Sequence, residues 1–180
     1  RTVKLEKIKV SNYKSIDELS FSFDKGNSLL GFLGLNESGK SNILRGLSMK
    51  DHQNEFDYTT SINRDKRGEP INVVYTFSPE NGGRSFVENI LTEHTGDDID
   101  NSLLRRINIK KIYVTSTIQQ GAESATNHLE VELEKDEISG WKLDGSTIQK
   151  VDQKTDEERK DSLNIRAFLE EQCKEQVLDA

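Results

Sequence analysis

Apolar and polar residues alternate from the start of the chain. Val3, Leu5, Ile8 and Val10 are spaced among charged neighbours, which predicts a strand over 3–10 with one open face. Asn12-Tyr13-Lys14-Ser15 has turn composition. Leu19, Phe21 and Phe23 then alternate with Ser20 and Ser22, predicting a second strand antiparallel to the first. Another turn, Asp24-Lys25-Gly26-Asn27, leads into the apolar run Leu29-Leu30-Gly31-Phe32-Leu33. A short uninterrupted run of this kind is the pattern of a buried parallel strand. Ile43, Leu44 and Leu47 follow at helical spacing, predicting a helix over 42–49.

The pattern then weakens. Residues 51–70 are polar, with Phe56, Tyr58 and Ile62 as the sizeable apolar residues, and read as a loop or insertion. Ile71 to Phe77 is β-branched and aromatic enough for a strand, stopped by Pro79 and Asn81-Gly82-Gly83. Phe86, Val87, Ile90 and Leu91 predict a short helix. Ile107, Ile109, Ile112, Tyr113 and Val114 predict a strand. Leu129, Val131 and Leu133 alternate with Glu130, Glu132 and Glu134, a half-exposed strand with an acidic face. Trp141, Leu143 and Ile148 around Asp144-Gly145 continue an antiparallel meander. Thr155 and Glu158 have capping-box spacing, and Leu163, Ile165, Phe168, Leu169, Cys173 and Val177 predict an amphipathic helix over 161–178. Such a helix either packs on its own lobe, the preferred reading, or leads into a coiled coil.

Charge divides the chain. Residues 1–50 carry nine Lys/Arg against five Asp/Glu, whereas the whole chain is at −7. The basic bias suits phosphate handling at the N-terminal end, and the acidic remainder argues against nonspecific nucleic-acid binding over the whole surface. Arg64, Lys66 and Arg67 form a local basic cluster; with no aromatic residues interleaved, a solvated loop is favoured over a nucleic-acid contact. The single cysteine, Cys173, cannot form an internal disulfide and fits a reducing cytoplasm. The three histidines match no zinc spacing, and no run is long enough for a membrane helix.

The chemistry is concentrated between the predicted buried strand and the predicted helix. Gly34-Leu35-Asn36-Glu37-Ser38-Gly39-Lys40-Ser41 fits the phosphate-binding pattern G-x-x-x-x-G-K-[ST] without mismatch. Glycines let the backbone bend tightly around an anion, and the helix that follows offers free N–H groups and a positive end. Candidate nucleotide-binding residues are therefore Gly34, Asn36, Glu37, Ser38, Gly39, Lys40, Ser41 and Asn42. Lys40 is placed to reach the terminal phosphates, and the Ser41 hydroxyl to sit on a bridging Mg2+.

Ile8-x-Val10-x-Asn12-Tyr13-Lys14-Ser15-Ile16, then Phe23, Asn27 and the run Gly34 to Asn42, resembles the start of an SMC/RecF-type ATPase head. The wording Asn36-Glu37-Ser38-Gly39-Lys40-Ser41 is most similar to the OLD-family and related ATPases of bacterial genome maintenance and phage defence. The resemblance is dense over about the first 50 residues. It implies an α/β fold, a P-loop NTPase of the ABC type carrying an antiparallel β subdomain, with ATP as the nucleotide and Lys14 near it. From the residues alone, Lys14 reads equally well as a solvated turn lysine.

An ATPase of this kind also needs a hydrophobic strand ending in Asp-Glu, the Asp for magnesium and the Glu to polarise water. Asp136-Glu137 follows a charged stretch and reads as a hairpin turn, and Ser139-Gly140 is no signature motif. Gln119 and Gln120 are candidates for sensing a γ-phosphate. Residues 1–180 thus read as the N-terminal half of a head: a P-loop core at 1–50, a polar loop at 51–70, a β-rich part at 71–150 and a helix at 155–180. The resemblance implies completion by a C-terminal half and a dimer partner, with DNA as a possible partner of the full protein. A module that binds nucleotide without hydrolysing it is the alternative. A GTPase or small kinase is disfavoured, since no Asn-Lys-x-Asp is present and no Arg-rich lid is evident.

Overall fold

A computed structural model describes residues 3–23, 39–86, 88, 107–135, 141–144, 147–150, 169–175 and 177–178. The architecture is mixed α/β, with a five-stranded antiparallel sheet in the order β2-β1-β3-β4-β5. The strands are β1 (Val3–Tyr13), β2 (Ile16–Ser22), β3 (Ile71–Pro79), β4 (Ile109–Ile118) and β5 (Thr126–Leu133). A separate hairpin joins β6 (Trp141–Asp144) to β7 (Thr147–Lys150). The expected meander through Trp141 and Ile148 is therefore a two-stranded sheet of its own, not a continuation of the large one.

Two compact units make up the chain: Leu5–Phe77 with Tyr113–Leu129, and Arg1–Lys4 with Ser78–Ile112 and Glu130–Ala180. In the first, β1 and β2 pair antiparallel with Ile8 opposite Phe21 and Val10 opposite Leu19. β1 runs three residues past its predicted end. Tyr13 pairs with Ile16 across a two-residue turn, because burying its ring rewards the strand over the turn that Asn12 to Ser15 suggests. β3 forms where a strand is expected, and its buried residues alternate: Ile71, Val73, Tyr75 and Phe77. α1 (Lys40–Leu47) follows Gly39, and α2 (Tyr58–Ser61) is capped by Asp57.

The polar stretch 51–70 is folded into short turns. Phe56 and Tyr58 are buried, Tyr13 and Phe56 have ring centroids 6.2 Å apart, and the Tyr58 hydroxyl donates to the Glu69 carbonyl. Its backbone is used as well: the Lys14 N–H donates to the Ser61 carbonyl, and the Asn63 N–H to that of Asn12. Three aromatic anchors and a few main-chain bonds order a segment whose composition looks solvated.

In the second unit, Phe86, Ile107, Ile109, Ile112 and Val131 are buried. So are Leu169, Cys173 and Val177, whose spacing of four residues places them on one helical face of the predicted C-terminal helix. Burial pushes the Cys173 thiol up to about 12. The predicted strand 29–33, most of the helix from Phe86 to Leu91, Asp136-Glu137, Ser139-Gly140 and residues 151–168 lie outside the described residues.

Candidate functional site

Gly39 adopts φ 84°, the left-handed conformation that glycine takes without strain. A Cβ there would meet its nearest neighbour, Ser15 Oγ, at 3.8 Å, an ordinary contact. Glycine is thus required by the backbone turn and not by crowding. Because Gly39 has no side chain, α1 begins without a side-chain cap. Lys40, Ser41 and Asn42 form its first turn, where N–H groups have no partner within the helix.

The opposite wall is the β1–β2 turn. Asn12 and Lys14 both have positive φ, 62° and 50°, a costly conformation for non-glycine residues. The bonds to Ser61 and Asn63 hold it, together with Asn12 Nδ2 donating to the Pro70 carbonyl at 2.9 Å. With the backbone fixed, Lys14 Nζ donates to Asn42 Oδ1 at 3.2 Å and lies 5.7 Å from the Tyr13 ring centroid. Two of the sequence-derived site residues, 28 positions apart, are thereby brought together.

Beside them opens a cleft of about 1210 Å³, walled by Lys14, Ser15, Thr60, Arg64, Arg67 and Gln120 among others. Lys66 is turned away and pairs with Asp17 at 3.4 Å. The basic cluster is therefore split: Arg64 and Arg67 line the cleft, and Lys66 pairs with Asp17 of β2. Composition alone gave no sign of that split, because the direction of each side chain depends on the 3-10 turn over Arg64–Lys66. Gln120 lines the cleft just beyond β4, while Gln119 is not among its walls. Gly34, Asn36, Glu37 and Ser38 lie outside the described residues.

Among the described residues no cluster of three or more His, Cys, Asp or Glu is arranged to hold a metal ion. A hard cation held chiefly by phosphate oxygens and water asks for one or two protein oxygens, and the exposed Ser41 hydroxyl in the first turn of α1 fits that demand. No described helix is long and apolar enough to cross a membrane.

No family model matches the chain, and no curated protein matches it. Among solved structures it is similar to an SMC ATPase studied for ATP-driven dimerization and DNA-stimulated activation, at 15% identity and a TM-score of 0.43, covering 73% of this chain and 72% of that one. It is also similar to the recombination mediator protein RecF–ATP of the RecFOR pathway, at 19% identity and a TM-score of 0.39, covering 77% of this chain. The chain spans 30% of that RecF structure.

Proposed function

We propose that this chain binds ATP with Mg2+ as the N-terminal part of an ATPase head of the SMC/RecF/OLD type. The observation that carries the reading is the contact between Lys14 and Asn42, which sets a basic turn against the first turn of α1 beside an open cleft. In this reading the N–H groups of residues 36–41 cradle the phosphates, Lys40 neutralises their terminal charge and Ser41 ligates magnesium. Lys14 exchanges Asn42 for a phosphate oxygen, and the cleft receives the rest of the nucleotide. Hydrolysis requires a carboxylate from a C-terminal half and a second head, so ATP would draw two heads together, in DNA repair or phage defence.

Titration calorimetry with ATP and GTP in the presence of magnesium, alongside a phosphate-release assay, tests it. The expected result is ATP binding without turnover by the 180-residue chain. Failure of either nucleotide to bind overturns the assignment. Steady phosphate release would place a catalytic carboxylate within these residues and overturn the division of labour.

A further inference from the structure

The C-terminal end of α1 is tied to three strands through adjoining peptide groups. The Tyr75 hydroxyl donates to the Leu47 carbonyl at 2.8 Å and accepts from the Lys50 N–H at 3.2 Å. On the next peptide unit, at the other end of the same residue, Asn127 Nδ2 donates to the Lys50 carbonyl at 2.9 Å. The amide of Asn127 is oriented in turn by the Ser116 hydroxyl, which donates to its Oδ1 at 2.5 Å. Each of β3, β4 and β5 thus contributes one polar group. On β3 the remaining buried residues of that face are Ile71, Val73 and Phe77, and on β4 Ser116 sits between Val114 and Ile118.

Apolar packing is non-directional and tolerates a helix sliding by a fraction of a turn, whereas hydrogen bonds weaken steeply with distance and angle. These polar bonds therefore index the C-terminal end of α1 along its axis more sharply than apolar packing does. Because a helix is stiff along its axis, a displacement at residues 47–50 is carried to Lys40 and Ser41 at its start. We propose that Tyr75 and Asn127 are positioning residues for the phosphate site: they index α1 against the sheet and so fix where its first turn lies. The proposal rests on the nucleotide reading above, and the Ser116 hydroxyl serves it by holding the Asn127 amide in its donating orientation.

The test compares Tyr75→Phe and Asn127→Ala with Val114→Ala in the full chain. Val114 is fully buried on the same sheet. Mg-ATP affinity is measured by calorimetry, the urea midpoint reports stability, and amide exchange reports Ile43 and residues 48–50. Each positioning variant should weaken ATP binding about 3–10-fold, from the loss of one buried hydrogen-bonding group. The double variant should lose less than the product, since both groups bond the backbone of Lys50. Val114→Ala should leave affinity within about twofold despite a comparable loss of stability. Unchanged affinity in Tyr75→Phe and Asn127→Ala, or an equal loss in Val114→Ala, overturns the proposal. If the parent chain binds no nucleotide, the functional reading is what fails. The indexing role is then decided by exchange alone: faster exchange at Ile43 in Tyr75→Phe upholds it, and unchanged exchange there overturns it.

Discussion

The two ends of α1 are built in opposite ways. At its C-terminal end the carbonyls of Arg45, Gly46 and Leu47 all accept hydrogen bonds, from the backbone of residues 48 and 49, the Ser48 hydroxyl and the Tyr75 hydroxyl. Arg45 adds a positive charge where the helix dipole is negative, and its guanidinium donates to the Glu55 carbonyl at 3.0 Å. At the N-terminal end the cap position is a glycine with no side chain to offer. Gly there costs only a few tenths of a kcal/mol relative to Ser, Thr, Asp or Asn, and it brings no side chain to the first turn.

The largest effect should come from Lys40, at the open end. If Lys40 neutralises the terminal phosphates as proposed, Lys40→Ala should lose a charge-assisted contact worth about 1.5–3 kcal/mol, and ATP affinity should fall about 10–150-fold. A calorimetric titration of the variant checks this. Affinity equal to the parent's would leave the open end without a ligand role and remove the contrast between the ends.

Gly39→Ala comes next. Since the added Cβ would find only Ser15 Oγ at 3.8 Å, its cost is the left-handed backbone, about 1–2 kcal/mol. Urea denaturation of the variant should show that loss, whether or not nucleotide is present. A variant as stable as the parent would mean that the chain enters α1 by another turn.

How much of this was legible beforehand differs between elements. β3 was plain because four alternate residues from Ile71 to Phe77 are apolar and all are buried. The β1–β2 pair was legible in its pattern but not in its limit, since Tyr13 extends β1 into what looks like a turn. The stretch 51–70 misled because two buried aromatic anchors, Phe56 and Tyr58, among many polar residues set no period. Its order comes from main-chain pairing with residues 12–14, which composition does not record. The phosphate-binding motif was legible as a local pattern. The Lys14–Asn42 contact was not, because a link across 28 positions depends on the folding of everything between them.

Tyr13 tests the side of α1. Its ring fills the space beside Gly46, where a Cβ would approach Cδ1 and Cε1 to 3.1 Å. Its hydroxyl is buried without a hydrogen-bond partner among the described residues, and burial pushes its pKa up despite the nearby Arg45 charge. Tyr13→Phe keeps the ring and removes the unpaired group, so the variant should be as stable as the parent or gain up to about 1 kcal/mol. A loss of more than about 1 kcal/mol in unfolding free energy, read from urea denaturation, would mean that the hydroxyl has a partner after all.

The smallest effect concerns α2, which has the cap that α1 lacks. Asp57 accepts from the Thr60 N–H at 2.9 Å and from the Thr60 hydroxyl at 2.7 Å, and these bonds hold its carboxyl below the usual carboxylate range. A folded-state value lower than the unfolded one means that the ionised cap stabilises above the unfolded pKa of about 3.9 and fades as pH falls through the folded value. Urea midpoints of the parent and Asp57→Ala should therefore differ at neutral pH and converge in acid, while Asp57→Asn, which keeps an acceptor, should retain part of the difference throughout. A gap between parent and Asp57→Ala that stayed constant into acid would assign the loss to packing. The two helix starts would then differ in shape alone, and the missing cap at Gly39 would no longer single out α1 as the end left open for a charged ligand.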